Sequence, residues 1–175
     1  LKNFLLGIGL ALILVGCTNE GSEEEQTNPS LSLEEQIQEV MNQHDYPPHT
    51  IVNYEIKNDF IYVFTDTSGS LNVAVLQYST DSIEWLMDYT SIEKLSIGDP
   101  EYENLPVLTV VKTEDANITG VKVLGEPAKG LQYSKEVTED YTIDTKYWIH
   151  FTEMKEEYAD FKNQNLPVNS IELIE

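Results

Sequence analysis

A mainly β domain, an antiparallel sheet or β-sandwich with one N-terminal amphipathic helix, is the fold class this sequence predicts; an α+β arrangement is the alternative. Three observations carry it. Apolar and polar residues alternate with period two in segment after segment from Ile51 onward. Turn-forming clusters separate those segments at short intervals, and only residues 33–44 combine helical spacing with a start signal.

That helix opens on Ser32-Leu33-Glu34-Glu35, a capping box with Ser32 as N-cap and Glu35 three residues on. Leu33, Ile37, Val40 and Met41 then form one apolar stripe, and Asp45-Tyr46-Pro47-Pro48 stops the helix because proline cannot continue it. Val52, Tyr54 and Ile56 alternate with polar residues as a half-buried strand. Phe60–Phe64 is apolar on both faces and reads as a central strand. Leu71–Tyr78 and Ile83–Tyr89 complete a four-stranded meander, one face of which the helix could cover.

Gly98, Pro100 and Pro106 among acids shift the composition at 91–106, a candidate subdivision of the domain. Strands are expected again at 107–112 and 118–124, with 125–130 as a turn. Ile143, Tyr147, Ile149 and Phe151 share one face of a further strand, and 168–174 supplies the last. Met154, Tyr158 and Phe161 fit either a short helix or a long loop, so the total is one helix and eight or nine strands.

The 175 residues carry 31 Asp and Glu against 10 Lys and no Arg, a formal charge of −21. That balance excludes the clustered cations nucleic-acid binding needs, and a polybasic contact with anionic lipid. A cationic protein partner is the complementary expectation, since an acidic surface steers basic segments toward it. A surplus of acids can equally reflect a saline or alkaline habitat. One cysteine, Cys17, rules out a disulfide framework and a multi-thiolate metal site.

The N-terminal segment is different in kind. Lys2 is the only charge before Glu20, and Phe4–Val15 is an apolar run too short for a comfortable membrane span. It ends Leu14-Val15-Gly16-Cys17, and polar residues follow at once. This resembles the lipobox of bacterial lipoproteins. The resemblance implies a signal peptide over 1–16, cleavage between Gly16 and Cys17, and a diacylglyceryl group on the Cys17 sulfur. Two acyl chains would hold the chain stably to membrane lipid on the extracytoplasmic face. Residues 17–30, closed by Pro29 and rich in Glu, Ser, Thr and Asn, read as a polar tether, leaving 31–175 as the folded domain. Loss of the signal removes one lysine and takes the charge to −22. The layout as a whole is similar to that of small surface lipoproteins of Bacillus-type bacteria, which share no activity that could be transferred.

Chemistry is sparse. No nucleophile elbow, phosphate loop, zinc motif or dinucleotide fingerprint is present, and no cofactor is implied. Asp66-Thr67-Ser68-Gly69-Ser70 has its glycine at the fourth position of a calcium loop rather than the sixth, and reads as a hairpin turn. His44, Asp45 and His49 are unevenly spaced for a cation site. Trp148 and His150 lie on the polar face of their strand with Asp144 and Lys146, either as a candidate contact surface or beneath a second layer. The expected role is therefore a binding or interaction module. The alternative is a cell-envelope hydrolase with a carboxylate-based site, for which the abundance of acids alone is no argument.

Overall fold

The computed structural model describes residues 31–175 apart from 68, 81, 103, 139–140 and 159–165. The expected signal, Cys17 and the tether lie outside the described residues. Chain contacts separate Leu1–Ser30 from Leu31–Glu175, and the second unit is a β-sandwich clad on both outer faces.

Helix α1 (Leu33–Gln43) begins as its sequence dictates. Glu35 N–H donates to Ser32 Oγ, and the Glu35 carboxylate accepts from Ser32 N–H at 2.7 Å, so the capping box is closed. It stops one residue before the expected end, with His44 as C-cap and Asp45 left-handed at φ 65°. The first sheet is the meander β1 (Ile51–Lys57), β2 (Phe60–Thr67), β3 (Ser70–Tyr78) and β4 (Ile83–Tyr89), antiparallel and in sequence order. The second runs β5 (Lys94–Ile97), β6 (Val107–Thr113), β10 (Tyr141–Thr152) and β9 (Lys129–Thr138). A small third sheet orders β11 (Ile171–Ile174), β7 (Gly120–Val123) and β8 (Glu126–Pro127).

Period two sorts the side chains. Phe60, Tyr62 and Phe64 of β2 and Leu71, Val73 and Val75 of β3 meet Leu108 and Val110 of β6 and Tyr147 and Ile149 of β10 in the shared core. The intervening Ile61, Val63, Ala74 and Leu76 point the other way, under Ile37 and Met41 of α1. On the far side, Val111 and Trp148 lie under Ile118, Val121 and Val123 of the small sheet. Beside them Val107 packs under Tyr158 and Leu166. Each central strand is thus covered twice, which is why β2, β3 and β6 read as apolar on both faces.

Several expectations are corrected. The composition shift at 91–106 is no subdivision: Ile92, Ile97 and Leu105 are buried in the shared core, and the segment holds the end of the crossover from the first large sheet, strand β5 of the second, and the loop from β5 to β6. Eleven strands, rather than eight or nine, occur among the described residues. β9 was not expected because Lys129–Thr138 is too polar to signal burial; it is an edge strand, held by the backbone of β10. β5 is only 4 residues, too short to show a period. Part of the 125–130 turn is strand β8 and the start of β9. The last strand begins at Ile171, because Pro167 and Val168 form a 3₁₀ turn whose Val168 N–H donates to Ser96 Oγ on the second sheet. Among the described residues, 154–161 shows only a 3₁₀ turn at Glu156–Tyr158, and Phe161 lies outside them.

Candidate functional site

Two loops and the paired strands β9 and β10 meet at one end of the sandwich. The β2–β3 turn is formed by Asp66, whose carboxylate accepts from Gly69 N–H at 2.7 Å, while Gly69 takes φ 85°, which favours glycine there. The stretch between β6 and β7 turns on Asp115, whose carboxylate accepts from both the backbone and side-chain nitrogens of Asn117 at 2.9 Å. The third wall is the β9–β10 hairpin. Residues 146–152 of β10 pair with β6 on one side and residues 141–149 with β9 on the other, so 141–145 extend past the end of β6.

Between these walls lies a cleft of about 540 Å³. Gly69, Lys112, Glu114, Asp115, Asp144 and Lys146 are among its lining residues. Lys112 is ion-paired with Glu93 at 3.0 Å and Glu114 at 3.2 Å. Its hydrogen bond to Glu93, reinforced by Glu114, outweighs partial burial and raises its pKa, keeping the ammonium charged. Lys146 is held differently. Its ammonium donates to the Ile118 carbonyl at 3.2 Å and sits 4.5 Å from the Trp148 ring centroid. No carboxylate among the described residues pairs with it, although acids outnumber lysines threefold in this chain. Asp144 lies two residues earlier on the same strand face and accepts from Ser134 Oγ at 2.5 Å.

Trp148 is not an exposed contact surface. It is 7% exposed beneath the small sheet, and its indole N–H donates to Thr113 Oγ1 at 3.0 Å. Gly130, directly opposite on β9, leaves room for the ring: a Cβ there would lie 3.4 Å from the indole. His150 follows on the same face, half-buried and opposite Thr109.

His44 and His49 are not brought into one cluster. His44 stacks on Trp85 with ring centroids 4.0 Å apart and planes 4° from parallel, while His49 lies exposed in the turn Pro48–Thr50. Among the described residues no three His, Cys, Asp or Glu side chains converge on a common metal position. Nor is any helix among them long and apolar enough to cross a membrane. Gly16 and Cys17 lie outside the described residues.

Sequence pattern placed Asp144 and Lys146 on a polar strand face, without indicating that loops from elsewhere would wall them in. Lys112 gave no signal, since a lysine at a strand end is ordinary. Comparisons with protein-family models, with curated proteins and with solved structures return no match.

Proposed function

We propose that this chain is a membrane-anchored extracytoplasmic lipoprotein whose β-sandwich is a binding or interaction module. The observation that carries the anchor is Leu14-Val15-Gly16-Cys17 at the end of a short apolar run, with the chain's one cysteine in the final position. A thiolate is the nucleophile that acyl-lipid transfer requires. Two chains, at about 0.8 kcal/mol per buried methylene, give stable attachment where one gives only reversible binding. The composition of residues 17–30, rich in Glu, Ser, Thr and Asn, supports reading them as the tether between anchor and domain.

A binding role is supported by the cleft, which gathers charged side chains of both signs. The acidic charge supports a cationic protein as a second kind of partner.

Labelling cells with an alkyne-bearing palmitate tests the anchor. Label on the wild-type chain that vanishes in Cys17→Ala, together with release of the variant from the membrane fraction, is the expected result. Label that persists in Cys17→Ala would overturn it. Cross-linking in intact cells tests the module: a partner recovered with the native domain and lost when 31–175 is replaced supports it, as does faster association at low ionic strength. Turnover of envelope material by the purified chain would favour a hydrolase instead.

A further inference from the structure

Lys146 is the anomaly of this cleft. In a chain of charge −21, an ammonium is fixed in place by a carbonyl and an aromatic ring, with no carboxylate partner among the described residues. Two of its three N–H donors remain beyond the bond to Ile118. Lining the same cleft are Asp144, Glu114 and Asp115, and among the described residues a lysine engages Glu114 alone of the three. An anionic ligand would meet these three acids, and a purely cationic one would meet Lys146. A ligand bearing both charges satisfies both.

The spacing of the two residues along the strand favours the longer of such ligands. Asp144 and Lys146 are i and i+2 on strand β10, so their Cα atoms are separated by about 7 Å along one face, and the Lys146 ammonium is drawn toward Trp148, the next residue on that face and on the side away from Asp144. In a free α-amino acid, nitrogen and carboxyl carbon lie only about 2.5 Å apart, whereas one further residue separates them by roughly 6 Å. Gln132, paired with Lys146 across β9–β10, also lines the cleft and adds a neutral amide at the Lys146 end. The volume of about 540 Å³ accommodates a ligand of this size with its side chains.

We propose that this cleft binds a short zwitterionic peptide, its ammonium end against Asp144 and its carboxylate end against Lys146. The inference rests on reading the domain as a binding module, and is independent of the lipid anchor and of any protein partner.

Titration calorimetry of the full-length chain with alanyl-alanine, its N-acetyl form, its C-terminal amide and free alanine tests it. Alanyl-alanine should saturate with Kd below about 1 mM. Each capped form and free alanine should bind at least tenfold more weakly. Lys146→Met, which keeps an aliphatic stem over Trp148, should weaken alanyl-alanine tenfold or more and leave the amide unchanged. Asp144→Asn, on the exposed hairpin, should do the converse, weakening alanyl-alanine while leaving the N-acetyl form unchanged, and decides the matter should Lys146→Met fail to fold. The inference is overturned by absence of saturation by any of the four, by equal affinity for capped and uncapped forms, or by wild-type affinity in a folded variant. A cross-linked protein partner recovered alongside any of those results would leave the binding-module reading standing and remove only the peptide.

Discussion

Trp148 links the second sheet, the small sheet and the cleft. Its ring fills the space under Val121 and Val123, its N–H is satisfied by Thr113, and its face holds the Lys146 ammonium. Truncation should therefore act twice. Trp148→Ala should lower unfolding free energy by about 3–5 kcal/mol, the range for deleting a large buried aromatic. Trp148→Phe keeps most of the apolar area, loses the indole hydrogen bond, and should cost about 1–2 kcal/mol. Urea denaturation followed by far-ultraviolet circular dichroism gives both values. A loss under 1 kcal/mol for the alanine variant would show that the small sheet contributes little through this contact. His44 and Trp85 form the corresponding contact on the opposite face, where Tyr46 also stacks on Trp85 and donates to Asp88 at 2.6 Å. The helix end is fastened by aromatic faces there, not by aliphatic residues alone.

The helix owes its start to two residues. Because Ser32 donates to it from backbone and side chain, the Glu35 carboxyl is held below its ordinary range. A depressed carboxylate stabilises the fold above its unfolded pKa, and that contribution is lost as pH falls through the lower, folded value. Ser32→Ala should cost about 1 kcal/mol at neutral pH, within the usual span for an N-cap. Glu35→Gln should lose less at acid pH than at neutral pH. Equal losses at pH 3 and pH 7 would mean the ionised carboxylate plays no part in the cap. Strand β9 shows the opposite dependence. Its sequence carries no sustained alternation, and nine register pairs with β10 hold it in place. Its order comes from its neighbour.

At the scale of the whole domain, two titrations and one screening effect should be measurable. Burial raises the phenol pKa of Tyr46, Tyr62, Tyr89 and Tyr147, with the Asp88 hydrogen bond adding to the first. Tyr62 lies in the shared core and donates to the Pro106 carbonyl at 2.6 Å. A group with a raised folded pKa contributes stability that is present below its unfolded pKa and is lost as pH rises through the folded value. Unfolding free energy should accordingly fall above about pH 10, the ordinary tyrosine range. Tyrosinate absorbance of the native chain should lag that of the urea-unfolded chain; coincident curves would remove these tyrosines from the alkaline transition. Self-repulsion acts at neutral pH instead. With a charge of −21, melting temperature should rise as salt increases to about 0.15 M, where the Debye length shortens to about 8 Å. A melting temperature independent of salt would show that the carboxylates are spread widely enough not to strain the fold.

Local physics was legible in the residues themselves. The capping box at Ser32–Glu35, the stop before Pro47-Pro48, the four-strand meander and the alternating face of Tyr147, Ile149 and Phe151 all depend on neighbours within a few positions. The same holds for the excess of acid over lysine, which is a matter of composition. Tertiary structure decided what depends on distant partners. Residues 91–106 look like a boundary because Gly98, Pro100, Pro106 and the acids interrupt the alternation. They prove to be continuous with the fold, a crossover leading into strand β5, because Ile92, Ile97 and Leu105 find the core between two sheets. Asp144 and Lys146 share a strand face by period alone, yet that face becomes a cleft only where loops around Gly69 and Asp115, about 75 and 30 residues away, close over it. Alternation says which side of a strand a residue occupies; only the packing of the sheets says what lies opposite.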